Sequence, residues 1–272
     1  MSTESFATTA SPPRSGVQRR PSLVGAEFLK LRKRRSLVLT GVGVTVVPML
    51  IGYAVVAAKH ASDPAKHGPG GGLENFVQSI DLLSGLAAIA AILIGVTAGT
   101  GDLRAGVFRE LVITGRPRIA LFAARIPGGL ALLLPLVSAA FLVAAVAAIV
   151  LADGAPTPSL GLLVESAAWI GLLVTVTFLL ALGVSSVVGS TGPSIGLLLG
   201  WYAIAAPLLV GMDELGAIRD LLPGAGVTAL APDALELQTV LSMSSAAIIV
   251  NLVLWTVAPL AAGAWRTNTR DA

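Results

Sequence analysis

Six apolar stretches, at residues 37–58, 76–100, 120–151, 160–188, 194–210 and 240–264, dominate this chain and leave little room for any fold but a bundle of membrane-crossing helices. In hydrocarbon a backbone has no water to bond to, so a spanning segment satisfies its own N–H and C=O groups as a helix of about 20 residues. The fifth stretch is short by that measure and the third long. Charged residues make up 12% of the 272 residues and hydrophobic ones 55%, whereas soluble domains carry about a quarter charged residues. The chain reads as an all-α integral membrane protein with six transmembrane helices in residues 36–264.

What lies between the stretches is more informative than the stretches themselves. Residues 101–125 carry five arginines, Arg104, Arg109, Arg116, Arg118 and Arg125, while the apolar runs at 76–100 and 126–151 hold one ionisable residue between them, Asp81. The spacing predicts a short helix from about Asp102 to Ile113, with Asp102 as N-cap and Gly115 and Pro117 as the stop. Leu103, Val107 and Leu111 fall on its apolar side, a face for a partner or for the protein's own membrane domain. We call 101–119 the handle.

Residues 1–21, rich in Ser, Thr, Pro and Arg, read as a disordered tail. The apolar run that begins near Ser36 is longer than the roughly 7–15 residues of a signal-peptide core, so a cleaved leader is not expected. Over 22–35, Val24, Phe28 and Leu31 recur at helical spacing with Glu27, Lys30, Lys33 and Arg34 around the rest. That pattern predicts an amphipathic helix in the membrane interface, either a plain basic anchor or an element with a role of its own. Pro48 predicts a kink in the first span. Residues 212–239 read as an acidic loop with a short helix around 213–222, and 265–272 as a second tail.

Six spans put both termini on one side. Of the 18 Lys and Arg residues, eight precede the first span, five lie in the handle and two in the C-terminal tail, against Lys59, Lys66 and Arg219 on the opposite side. This asymmetry predicts cytoplasmic termini and a cytoplasmic handle. The sequence pI near 9.7 therefore reflects charges beside spans, which suit anionic lipid headgroups better than nucleic acid.

Enzyme chemistry finds little support. Cysteine is absent, no Gly-Lys pair occurs to build a Walker A loop, and both histidines, His60 and His67, fall in the first loop where neither can serve a nucleophile at membrane depth. A surface loop with two histidines also suits a metal site poorly. Asp81 has two readings, an intramembrane functional acid or a carboxylate at headgroup depth, since it follows Phe76 by little more than a turn. Glu165 is placed similarly at the start of the fourth span. Gly, Ala and Ser recur through the spans, which favours close helix contact.

The order of these parts resembles the ABC-2 type permease subunits of ATP-binding cassette transporters. The resemblance is carried by the interfacial helix AEFLKLRKRRS, by six spans with both ends inside, and by the handle positions Asp102, Gly106, Leu111, Arg116-Pro117-Arg118 and Arg125. Asp102 stands where that family more often has Glu, Val107 where a hydroxyl residue is common, and Arg125 where Lys is frequent. The resemblance implies a plasma-membrane permease without enzyme activity or cofactor of its own, two copies of which pair with two separate ATPase subunits that bind ATP and Mg. In that reading the handle is the coupling helix, with Asp102, Leu103, Arg104, Gly106, Val107, Arg109 and Leu111 meeting the ATPase, and the cargo is a hydrophobic or amphipathic compound moved outward. Two other classes stay open: a membrane scaffold or sensor module using the same handle, and an ion-coupled secondary carrier, which needs buried acids or broken helices near mid-membrane.

Overall fold

The computed structural model describes residues 22–104, 117–235 and 243–269, and within them every regular element is helical. Six of the helices are long and apolar enough to cross a membrane. Helix α1 (Leu23–Lys33) starts at Ser22, whose hydroxyl accepts the Gly25 N–H at 3.0 Å. The chain turns at Arg34 into α2 (Arg35–Ser62), which runs uninterrupted past Pro48. Then follow α3 (Gly72–Arg104), α4 (Arg118–Val150) and α5 (Leu160–Val188), the last capped by Ser159 and ended by Gly189 at φ 77°. Gly189 adopts the left-handed conformation that closes a helix, which glycine enters without a Cβ clash.

The fifth span, α6 (Thr191–Val210), is not a uniform α-helix: it widens to π winding over Trp201–Ala205. The sixth, α8 (Ser245–Thr269), begins five residues later than the hydropathy pattern suggests and extends through most of the expected C-terminal tail. Similarly, α3 continues past Thr100 to Arg104, so the second span and the first residues of the handle are one rod. Asp102 thus sits inside a helix instead of capping one, a correction to the sequence reading. Its carboxylate is engaged by cations from other helices, which removes it from any capping role.

Helices α3 and α5 form the centre of the bundle, while α6 and α8 turn most of their surface outward. The small-residue pattern explains the close approach of the central pair. A Cβ added at Gly95 of α3 would stand 2.8 Å from the Phe178 carbonyl oxygen and 2.9 Å from Ala181 Cβ of α5. One turn on, Gly99 meets Ser185 and Leu182 of the same helix. Hydrocarbon tails are as apolar as the side chains, so such backbone-to-backbone packing, and not hydrophobic transfer alone, holds the two helices together.

The segment between α6 and α8 departs most from its sequence reading. It comprises a 3-10 helix (Asp213–Leu221) broken at Gly216, α7 (Ala225–Thr228) and a 3-10 turn (Asp233–Leu235), and it is packed into the bundle with Ala225, Val227 and Leu235 buried. Asn251 of α8, 1% exposed, binds it: Nδ2 donates to the carbonyls of Asp220 (2.7 Å) and Leu222 (2.9 Å), and Oδ1 accepts the Gly226 N–H at 3.1 Å. Trp255 Nε1 donates to the Leu221 carbonyl and Trp169 Nε1 of α5 to that of Val227. Irregular backbone is tolerated at depth in a membrane protein when protein groups satisfy it in this way.

Candidate functional site

Within the handle the described residues are the end of α3 and the start of α4, and the two helices are bound to each other there. Asp102 of α3 and Arg125 of α4 are each 2% exposed, and Arg125 Nη2 donates to Asp102 Oδ2 at 2.9 Å. The other Asp102 oxygen, Oδ1, accepts from Lys30 Nζ of α1 at 2.8 Å. Lys30 also pairs with Glu27 Oε2, 2.5 Å away and one turn earlier on α1. Arg125 Nη1 donates to the Gly99 carbonyl at 3.2 Å. Two acids and two bases from three helices therefore compensate one another in a largely water-free pocket.

Tight backbone packing places these groups. α1 lies against α4 at Gly128, where an added Cβ would stand 2.7 Å from Glu27 Cβ and 3.2 Å from the Phe28 nitrogen. Gly128 follows Arg125 by one turn, so the contact that seats α1 also fixes the distance from Lys30 to Asp102. Arg34, at the junction of α1 and α2, lays its guanidinium beside Gly101. Further ties gather the same end of the bundle. Thr100 Oγ1 and Thr191 Oγ1 lie 2.9 Å apart, linking α3 to α6, and Arg118 donates to the Asn268 carbonyl, linking α4 to α8.

This arrangement reorients the interfacial helix relative to its sequence reading. Leu31 is buried at 1% exposure and Phe28 packs partly against the core, but Val24 is exposed, and Glu27 is turned inward with Lys30 half-buried beside it. The inner face is mixed because Asp102 and Arg125 supply the partners that let charges point inward. Of the handle residues singled out above, Asp102 is part of this cluster, and Leu103 and Arg104 close the described part of α3. Gly106, Val107, Arg109 and Leu111 lie outside the described residues.

Charges held this way are hard to separate. Removing one partner of a buried pair costs about 3–5 kcal/mol, because the other charge is left without compensation in a poorly polarisable site. The cluster therefore ties α1, α3 and α4 to one another at this end of the bundle.

Asp81 lies elsewhere. It is exposed on the wall of a cavity of about 1500 Å³ at the opposite end of α3, shared with Gln78, Tyr202 and the loop around Gly68. The histidines are structural knots. His60 Nδ1 lies 3.0 Å from the His67 carbonyl and Nε2 3.0 Å from Asp153 Oδ2, which ties the first loop to the one after α4. Gly128 and Asn251 went unnoticed in the sequence; for the first, the run Arg125-Ile-Pro-Gly-Gly129 was the available signal. No protein-family model matches this chain, and no curated protein matches it.

Proposed function

We propose that this chain is the membrane-spanning subunit of an ABC-2 type ATP-binding cassette transporter, exporting a hydrophobic or amphipathic compound with ATP hydrolysed by a separate partner. The observation that supports the reading is the Lys30–Asp102–Arg125 joint, which ties the first helix to both roots of the arginine-rich handle. A transporter driven from outside the lipid needs a rigid connection between its motor contact and its spans. The handle, with Leu103, Val107 and Leu111 on an apolar side flanked by Arg104 and Arg109, is the motor contact in this reading. Two copies of the chain pair with two ATPase subunits in the plasma membrane, with termini and handle cytoplasmic in keeping with the placement of Lys and Arg.

Co-purification of the tagged chain from its native membrane tests the association. The expected result is that an ATPase subunit accompanies the wild type and is lost from the Leu103→Glu, Val107→Glu variant. A well-folded wild type that brings down no ATPase transfers the assignment to a scaffold.

A second reading, an ion-coupled carrier, draws on the π turn at Trp201–Ala205 and on the packed segment 213–235 beside it. Transport in proteoliposomes that persists without nucleotide and follows an imposed ion gradient would select that reading.

A further inference from the structure

Two cavities meet at Tyr202. The large one, about 1500 Å³, opens between the first loop, α3 and α6. The small one, about 80 Å³, lies deeper, among Ile92 of α3, Val176 and Leu180 of α5, Leu198 and Trp201 of α6, and Trp255 of α8. Tyr202, Leu173, Gly224 and Thr228 line both. The π winding at Trp201–Ala205 adds a residue to one turn of α6; such turns re-aim side chains and recur at functional sites. Here it holds Tyr202, which both cavities share, and Trp201, which lines the inner one. The Trp201 indole N–H is enclosed and has no hydrogen-bond partner among the described residues.

Charge is graded along this path. Lys59 lies within a turn of the end of α2, and Lys66 in the loop that follows; Glu74 lies in the first turn of α3. Asp81 stands two turns beyond Glu74, about 10 Å further along the helix at about 1.5 Å per residue. The lysines therefore sit at the mouth, beside Glu74, and the last charged wall residue of α3 toward the aromatic constriction is a carboxylate. Tyr202 lines the same cavity. Acids inside a membrane domain that face a cavity mark ion or substrate pathways, and aromatic faces add attraction for a desolvated cation.

We propose that this composite cavity binds a lipophilic organic monocation, with Asp81 as counter-ion, Tyr202 beside the cationic centre, and the apolar part directed to the inner chamber. A neutral lipid would leave the Asp81 charge without a partner, and an anion would be repelled by it. The inference rests on the transporter reading and specifies its cargo class. It assigns Asp81 to ligand binding and gives the π turn a purpose, the setting of Tyr202 where the two cavities meet.

Tetraphenylphosphonium and tetraphenylborate have nearly the same shape and opposite charge, which makes them suitable probes. Binding of each to the purified full chain is measured by equilibrium dialysis, without ATPase or nucleotide. The expected result is saturable binding of the phosphonium with no saturable binding of the borate. Asp81→Asn weakens phosphonium binding about tenfold or more, a loss within the attraction of two opposite charges in contact near a protein surface. Asp81→Glu retains it. Equal saturable binding of the two probes, no saturable binding of the phosphonium, or an Asp81→Asn variant within about twofold of wild type overturns the proposal. If Asp81→Asn does not fold, the wild-type comparison of the two probes decides alone. Because no ATPase is present, failure here leaves the co-purification result standing, and failure of co-purification leaves the binding result standing.

Discussion

Asp102 and Arg125 stand 23 residues apart in sequence, at the two roots of the handle, yet the guanidinium of one is bound to the carboxylate of the other at 2.9 Å with both side chains almost fully buried. A pair in this position closes the loop between the second and third spans with a charge-assisted bond. Lys30 then fastens the first helix to the same carboxylate.

The pair and its neighbour should be strongly coupled. Asp102→Ala leaves Lys30 with Glu27 alone and the buried Arg125 without a carboxylate, and the expected loss is about 3–5 kcal/mol. In thermal unfolding of the detergent-solubilised chain, Lys30→Met should cost less, because Lys30 is 28% exposed in its side chain and its removal leaves Arg125 in place. A double-mutant cycle over Asp102 and Arg125 should give a non-additive term of about 0.5–3 kcal/mol. Additive effects would show that the two groups do not interact in the folded chain.

Gly128 sets the seat of α1. Gly128→Leu drives a side chain into Glu27 and the Phe28 backbone, and should lower stability by about 1–3 kcal/mol, the usual cost of overpacking. Gly171, whose added Cβ meets nothing within 4 Å, is the control: Gly171→Leu should leave the melting temperature nearly unchanged. Limited proteolysis reports whether α1 has been released.

Asn251 makes three hydrogen bonds to the backbone of residues 220–226. Asn251→Leu should strand two carbonyls and one N–H, at about 1–3 kcal/mol for each buried group left without a partner. The segment 213–235 should then become sensitive to protease added from the side of the first loop. An unchanged digestion pattern would mean that Trp169 and Trp255 hold the segment without it.

Much of the fold could be read from hydropathy, because a bilayer permits so few solutions. The boundaries of α5 follow from Ser159 and Gly189, a cap and a left-handed stop that are both visible in sequence. The segment 213–235 was not legible as a packed element: its acids pointed to a solvated loop, whereas the apolar run Leu221-Leu-Pro-Gly-Ala-Gly-Val227 carries it inward once Asn251 and Trp255 satisfy its carbonyls. The inward turn of Glu27 and Lys30 was hidden for a similar reason. Helical periodicity sorts residues by polarity, and the buried countercharges that reverse the usual orientation lie 72 and more residues away. Asp102 and Arg125 could be named from the sequence, but their pairing could not.

Sidedness can be mapped without background, since the chain has no cysteine. Single cysteines at Arg32 and Asn268 should react with a membrane-impermeant maleimide only in inverted vesicles, and one at Ala65 only in intact cells. Labelling of all three from one side would contradict the six-span arrangement with cytoplasmic ends.

In the proposed transporter, the handle transmits ATP-driven motion through the Asp102 joint. The most direct test is permease-dependent ATP hydrolysis in complexes isolated from the native membrane, measured with tetraphenylphosphonium present for wild type and Asp102→Asn. The expected result is that the Asp102→Asn complex retains its ATPase subunit but loses most of the stimulation by the cation. Stimulation equal to wild type in an assembled Asp102→Asn complex would contradict it.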